Sequence, residues 1–330
     1  MNLKDQVLSL FEASKGTYLS GAEIARQLGV SRSAIWKAVK QLQSEGHQFD
    51  AVTNRGYALR EESAVLSVPG IRKYLRRSDL LLEVYKSVPS TNPLTKQAAE
   101  SGAPEGTVII AEEQTAGRGR MGRSFFSPAH TGIYFSILLR PKFSASDSLL
   151  ITTCAAVACA AAMEAISGRE TKIKWVNDIY VAERKVCGIL TEASMDLESG
   201  GLHYAVLGIG INLTTPAGDF PEAIRNKAGS LFTVGTEKDF RCRLVAEVLD
   251  RFFDEYDHLL EKHFLDEYRR RSILTGRTVD VLRGDTIVPA RVQGIDDDFS
   301  LIVTYEDGHT EHLFSGDVSL GKIGQICQNS

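Results

Sequence analysis

Thr107-Val108-Ile109-Ile110-Ala111-Glu112-Glu113-Gln114-Thr115-Ala116-Gly117-Arg118-Gly119-Arg120-Met121-Gly122-Arg123 is the stretch from which the rest of the chain can be read. Its first five residues form a continuous apolar run, the pattern of a strand buried on both faces. The strand runs directly into a loop with three glycines and three arginines in seven residues, Gly117 to Arg123. Glycine lets backbone amides approach a ligand, and guanidinium groups supply fixed positive charge. Such a loop suits a ligand that carries phosphate, and it is expected to order once that ligand neutralises it. A Walker A loop is excluded, because no Gly-Lys-Ser/Thr follows. A basic surface loop is the plainer alternative. The Phe125-Phe126 pair beyond it either covers an adenine or belongs to the core.

Working outward, Thr171 to Asp178 reads as a strand ending in polar residues, and Lys185 to Glu192 as a second strand returning beside it. This hairpin brings Asn177, Asp178 and Lys185 together. A lysine beside Gly188 can meet a carboxylate or phosphate as a point charge. An Asp with an Asn can hold Mg²⁺ through oxygen ligands. Taken singly, a salt bridge or a turn accounts for each. Tyr204 to Leu213 is a strand with Gly208 and Gly210 on one face, which clears room for a flat ligand. It lacks the third glycine and the helix of a dinucleotide fingerprint. Upstream, Pro89-Ser90-Thr91-Asn92 is a turn and helix start, with Ser90 or Thr91 as cap and Ala98-Ala99 continuing the helix.

The chain's 330 residues exceed one ordinary core, so two or three domains are expected. With 43% hydrophobic and 24% charged residues, the composition is that of a globular protein. No apolar run is expected to span a bilayer, and the Ala-rich Cys154 to Ile166 reads as a buried helix. Met1 to Asp5 lacks the layout of a secretory signal. Cys154, Cys159, Cys187, Cys242 and Cys327 include no C-x-x-C pair, so buried thiols in a reducing compartment are expected. His309 and His312 have no nearby Cys to complete a metal set. The expected location is the cytoplasm.

Charge divides the chain. Residues 1–60 hold eight Lys and Arg against five acids, a formal +3, whereas the whole carries −4 and the remainder therefore −7. Nucleic acid, if bound, belongs at the N-terminus. There Leu3, Val7 and Leu10 or Phe11 mark a first helix. Ser20, with Glu23 as a capping box, opens a second that buries Ile24, Ala25 and Leu28. After a Gly29-Val30 turn, Ser31 caps a third, with Ile35, Val39 and Leu42 inward, ending at Gly46. Ser31, Arg32, Ser33, Trp36, Lys37 and Lys40 form its outer face. His47 to Val52 and Tyr57 to Leu59 suggest a hairpin with Arg55 at its tip. This is the layout of a winged helix-turn-helix, whose outer face fits a major groove and which usually reads two half-sites as a dimer. A protein-docking bundle with solvated lysines is the alternative.

A boundary is placed after Glu62, giving domains at 1–62, 63–272 and 273–330. In the last, Arg269-Arg270-Arg271 ends a helix. Thr278 to Leu282, Ile287 to Ile295, Leu301 to Tyr305 and Glu311 to Phe314 read as short strands of a small β-barrel. Asp296-Asp297-Asp298 is read as a solvated turn.

These segments, in this order, resemble the biotin–protein ligases. Gly117 to Arg123 looks like that family's biotinyl-adenylate loop. Lys174-Trp175-Val176-Asn177-Asp178, Lys185-Val186-Cys187-Gly188-Ile189-Leu190 and Gly208-Ile209-Gly210-Ile211-Asn212 match its next three blocks. Ser90-Thr91-Asn92 and Gln114 match its early biotin contacts. With the N-terminal module, the resemblance is to the bifunctional class, the biotin operon repressors, over almost the full length. It implies an α+β multidomain chain: a winged helix-turn-helix, a central mixed-sheet α/β ligase domain and an SH3-like C-terminal barrel.

The resemblance also implies roles. Ser90, Thr91, Asn92, Gln114, Gly117, Arg118, Lys185, Gly188 and Gly208 line the biotin pocket. Lys185 sits between the biotin carboxylate and the ATP α-phosphate, with Arg118 and Arg120 as further catalytic groups. Arg118, Arg120, Arg123, Phe126, Lys174, Asn177 and Asn212 hold the adenylate or ATP. Asn177 and Asp178 are the candidates for Mg²⁺. Phe125 stands where some members have Trp, and Met121 where a basic residue is common. The implied partners are a biotin carboxyl carrier domain, operator DNA and a second copy, joined when biotinyl-5'-AMP is bound. A non-enzymatic biotin-sensing repressor, a lipoate or octanoate ligase of the same fold and a regulator for an unrelated ligand are the competing readings.

Overall fold

The computed structural model describes residues 2–144, 148–195, 201–233, 240–283, 286–314 and 318–320. Cys327 lies outside them. The other four cysteines are buried free thiols.

The N-terminal residues form α1 (Leu3–Ala13), α2 (Gly21–Leu28), α3 (Arg32–Ser44), β1 (Phe49–Val52) and β2 (Gly56–Leu59), the two strands pairing antiparallel. Val7, Leu8, Phe11, Ile24, Ile35, Val39 and Leu42 share one small core. Gly29 makes the turn between α2 and α3 at φ +67°, a left-handed conformation that favours glycine. Ser31 caps α3 by accepting from the Ala34 amide at 3.2 Å. Ser20 caps α2 through Ala22 at 3.3 Å, but Glu23 does not reach back to it. The Glu23 carboxylate is exposed and faces Arg26 at 4.0 Å, so the expected capping box is half formed. An arginine one turn on competes for it.

Next come α4 (Val68–Arg72), β3 (Leu81–Tyr85), α5 (Thr91–Glu100), β4 (Thr107–Ala111), β5 (Gly132–Leu139) and α6 (Ser148–Ser167). They are followed by β6 (Thr171–Lys174), β7 (Asp178–Val181), β8 (Arg184–Met195), β9 (Leu202–Asn212), α7 (Glu222–Arg225), α8 (Phe240–Tyr256) and α9 (Leu265–Arg271). The strands make one mixed sheet in the order β3-β4-β5-β9-β8-β7-β6. Only β3 and β4 run parallel; the other neighbours are antiparallel.

Two expectations change. The helix read at Cys154 to Ile166 spans Ser148–Ser167, with mean hydropathy 2.0, so by length and composition it is sufficient to cross a membrane. In the fold, 72% of that stretch is buried, between the sheet and α8. Its small residues let helix and sheet approach closely. The single strand expected over Thr171 to Asp178 is two strands, broken at Trp175-Val176-Asn177. The Trp175 indole N–H donates to the Phe299 carbonyl at 2.9 Å, and the Tyr268 hydroxyl donates to the Val176 carbonyl at 3.0 Å. These long-range bonds bend the backbone where local pattern would extend it.

The C-terminal part holds β10 (Thr278–Arg283), β11 (Thr286–Ile295), β12 (Leu301–Tyr305), β13 (Thr310–Leu313) and β14 (Val318–Leu320) in an antiparallel sheet ordered β13-β12-β11-β10-β14. Sequence reading missed β14, which is only three residues long. The Asp296 to Asp298 turn is tied by Asp297 to Arg269 at 2.6 Å and by Asp296 to His312 at 2.8 Å.

His47, at the end of the α3 core, is 4% exposed, and its Nδ1 has no hydrogen-bond partner among the described residues. Burial, aided by Lys15 and Lys4 and opposed by Glu45, pushes its pKa down to about 4. The unfolded chain therefore binds this proton near pH 6.5 while the folded chain refuses it, so stability falls as pH drops from 6.5 towards 4. The loss is at most about 3 kcal/mol. Thermal unfolding at stepped pH should show this slope, and His47→Phe should flatten it.

Candidate active site

The site begins with strand register. On β9, Gly208, Gly210 and Asn212 point to one face, since side chains alternate. Pairing sets Gly210 opposite Gly188 of β8 and Tyr134 of β5, and Gly208 opposite Leu190 and Ser136. The outcome is a floor of bare backbone. A Cβ at Gly210 would meet the Phe125 ring at 2.5 Å, one at Gly188 would meet that ring at 3.1 Å, and one at Gly208 would clash with the Asn92 carboxamide. The room foreseen for a flat ligand thus also admits two of the chain's own side chains, because glycine permits close approach by any group.

The wall is the start of α5. Ser90 occupies the N-cap position, yet its hydroxyl makes no capping bond. Thr91 donates its amide to Gln114 Oε1 at 2.9 Å, and Gln114 Nε2 donates to Ser127 Oγ at 3.0 Å. Asn92 is committed at both ends. Its Oδ1 accepts from Ser136 at 2.6 Å, and its Nδ2 donates to Glu192 at 2.6 Å. Lys96 holds the other Glu192 oxygen at 2.5 Å. Asn92 is therefore a strut between α5, β5 and β8.

Across the floor stands the charged group. Lys185 Nζ lies 2.5 Å from Asp178 Oδ1, as the hairpin reading expected. The Lys185 backbone is clamped by Lys227 and Gly229, its amide donating at 2.8 Å and its carbonyl accepting at 2.9 Å. Asn177 is buried, donating Nδ2 to the Ile189 carbonyl at 2.6 Å and accepting from Arg120 at 3.1 Å. Burial, together with the Asp178 charge, pushes the neighbouring Tyr180 hydroxyl up to about 12. The arginine loop is closed by backbone bonds from Gly119 to Arg123 at 2.7 Å and from Phe125 to Gly117 at 2.9 Å. Gly117 does not line the cavity: a Cβ there would clash with the Phe125 carbonyl, so this glycine serves the loop's base.

Together these parts enclose a cavity of about 560 Å³. Arg118, Arg120, Arg123, Lys174, Lys185 and Lys227 line it, against one carboxylate, Asp178. Six cations around one acid suit a polyanion. Asn212 faces in as well, its buried Oδ1 without a hydrogen-bond partner among the described residues. Such an acceptor stays costly until a ligand hydroxyl or amine meets it. Of the expected residues, Ser90, Thr91, Gln114, Gly188, Gly208 and Phe126 are also here. Missed were Tyr180, Phe220, Lys227, Ser136 and Glu192. Of these only Ser136 left a signal, as the one small polar residue in the run Ile133 to Leu139.

Among the described residues no three of His, Cys, Asp and Glu cluster to hold a metal. The expected pair offers little. Asp178 is engaged by Lys185 and Asn177 by Arg120. These side chains do not fit a resident Mg²⁺ site.

Ser31, Arg32, Ser33, Trp36, Lys37 and Lys40 are all exposed on the outer face of α3. Trp36 is 51% exposed, more than a core aromatic would be. The Arg55 guanidinium at the hairpin tip stacks on the Tyr18 ring at 4.6 Å.

Residues 84–212 match the Biotin/lipoate A/B protein ligase family, residues 4–58 an HTH domain, and residues 274–321 the Biotin protein ligase C terminal domain. The Bifunctional ligase/repressor BirA of Bacillus spizizenii is 34% identical over 326 residues, covering 97% of this chain and 99% of that protein. That of Bacillus subtilis is 33% identical with the same coverage. Among solved structures, the biotin protein ligase from Aquifex aeolicus in complex with biotin and ATP is 29% identical, with a TM-score of 0.61, covering 72% of this chain and 97% of that one. With its cavity, its outer helix face and these full-length relatives, the chain belongs to the family of the bifunctional ligase/repressor BirA proteins.

Proposed function

We propose that the chain forms biotinyl-5'-AMP from biotin and ATP, transfers the biotin to a lysine of a carrier domain, and represses biotin genes by binding operator DNA. The observation that carries the catalytic half is the Lys185–Asp178 pair set among five further cations beside a glycine floor. Ser90, Thr91 and Gln114 then face the biotin rings, with Asn92 holding the wall. Asn212 and Phe126 face the adenylate. Three modules, 1–62, 63–272 and 273–330, carry DNA binding, ligation and closure over ATP, in the cytoplasm.

The mechanism follows from charge. A biotin carboxylate oxygen bonds to the α-phosphorus as the bond to the bridging oxygen breaks, and pyrophosphate leaves with that electron pair. Negative charge spreads over the phosphate oxygens, where Lys185, Arg118, Arg120 and Arg123 stabilise it. Asp178 keeps Lys185 aimed. Mg²⁺ enters as the partner of ATP's phosphates rather than as a resident ion. The carrier amine then attacks the carbonyl of the mixed anhydride and AMP leaves. Cys187 is fully buried and takes no part as a nucleophile.

For DNA, the α3 face enters the major groove and Arg55 meets phosphate or minor groove, and two copies bind two half-sites. Joining of the copies is promoted by the adenylate. Sedimentation with and without biotin and ATP tests this, and an unchanged mass sinks it. A pure repressor has no use for Lys185 and the arginine loop. A lipoate or octanoate ligase has no use for the DNA module.

Acceptor labelling is the main test: protein, ATP, Mg²⁺, biotin and a carrier domain, with lipoate in a parallel tube, read by mass spectrometry. A biotin adduct on one lysine is expected. A lipoyl adduct, or none with biotin still bound, overturns the proposal. Lys185→Ala should slow pyrophosphate release by roughly 10²- to 10³-fold with the fold intact. Arg118→Ala should mainly release adenylate into solution; adenylate retained as in the parent would refute its role.

A further inference from the structure

We infer that Tyr180 is a further catalytic residue: its hydroxyl donates to an oxygen of the phosphoryl group that Lys185 meets, and stabilises the charge growing there. The inference rests on biotin and ATP being the substrates. The family resemblance gives Tyr180 no role.

Strand register places this side chain. Asp178 of β7 faces Gly188 of β8, and Ile179 faces Cys187. A β-bulge follows, so Tyr180 faces Lys185 instead of Val186. Bulges re-aim side chains. Strict alternation back from Gly188 would send Val186 into the cavity and Lys185 into the core. With the bulge, Val186 and Cys187 are both buried and Lys185 turns to the cavity. Tyr180 joins Asp178 on the cavity face, since Ile179 and Val181 take the buried side of β7. Beyond Lys185 comes Ala228, its partner in a short parallel bridge. Tyr180, Lys185 and Ala228 thus form one row lining the cavity, beside the row of Asp178, Gly188 and Gly210.

The two rows divide the chemistry. Same-face neighbours along a strand lie about 7 Å apart. Biotin laid on the glycine row brings its carboxylate to Lys185, and the group met at the second row is the phosphoryl. A hydroxyl donating to the attacking carboxylate would hold back its lone pair. One donating to a phosphoryl oxygen binds more strongly as charge grows there, which is the condition for catalysis.

Tyr180 is equipped to donate. Among the described residues none hydrogen-bonds its hydroxyl. The charged neighbours are engaged elsewhere: Asp178 by Lys185 at 2.5 Å, and Lys172, across on β6, by Glu170 at 2.5 Å. Burial and the Asp178 charge push the Tyr180 hydroxyl up to about 12, so it keeps its proton through the reaction.

The test compares the parent chain with Tyr180→Phe, which removes one oxygen and keeps the ring. Pyrophosphate release is followed at saturating biotin and nucleotide, and biotin affinity by calorimetry. The variant should release pyrophosphate about ten- to a hundredfold more slowly, with biotin affinity within about twofold. Both are repeated with the two isomers of ATP that carry sulfur at one non-bridging α-oxygen, since sulfur accepts hydrogen bonds weakly. For one isomer the difference between parent and variant should shrink to about twofold, because the contact is already lost. Pyrophosphate release at the parent rate overturns the inference. So does an equal loss with ATP and both isomers, which would mark Tyr180 as packing alone. A parent chain that releases no pyrophosphate from ATP with biotin would instead remove the functional reading.

Discussion

The pairing of β8 with β9 in one register is the constraint on which the rest depends. It sets Gly188 opposite Gly210 and Leu190 opposite Gly208. A slip by one residue would turn every one of these to the other face. Ile209 and Ile211, buried on the far side, hold the register, since a slip would drive them into the cavity and the glycines into the core. The floor, the lysine at its edge and the carboxylate behind Asn92 all inherit their places from this ladder. Lys185 sits where β8 begins, and Glu192 falls on the face of Gly188 by alternation.

The charges follow a different logic. Lys185 and Asp178 are partly exposed, and such pairs contribute little to stability. Their use is orientation. Arg120 on Asn177 does the same for the loop, tying one guanidinium to the turn that Trp175 and Tyr268 bend into place. The charged groups of the cavity are thus braced from the C-terminal part and from α9, so that part of the chain shapes the cavity. Val318 of β14 lines it directly.

Between the N-terminal helices and the larger part, charge is used in the interior. Glu12 on α1 is 2% exposed and lies 3.7 Å from Lys15 and 3.8 Å from Lys73, the latter just past α4. Lys15 also donates to the Ser63 carbonyl at 2.7 Å. A buried carboxylate with two cations is costly to separate, since either side would keep an uncompensated charge. This joins the DNA-binding helices to the catalytic part through a specific contact, beyond the chain connection alone.

Much of this was legible in the sequence. Apolar periodicity gave the helices of the N-terminal module, Gly29 and Ser31 its turn and cap, and the Gly-Arg loop with the later glycine strands gave the cavity's composition. Those signals are local: alternation, caps and glycine act over a few residues. What tertiary structure decided was every feature made by residues far apart. The break at Trp175 depends on Phe299 and Tyr268. Phe125 rests on the floor because two glycines from different strands admit it, which no single segment reveals. Glu192, Ser136 and Asn92 became one chain of hydrogen bonds only when three elements met. The sequence by itself determined which chemistry was present; long-range packing decided which oxygen faces which proton, because hydrogen-bond direction depends on neighbours that only the folded chain brings together.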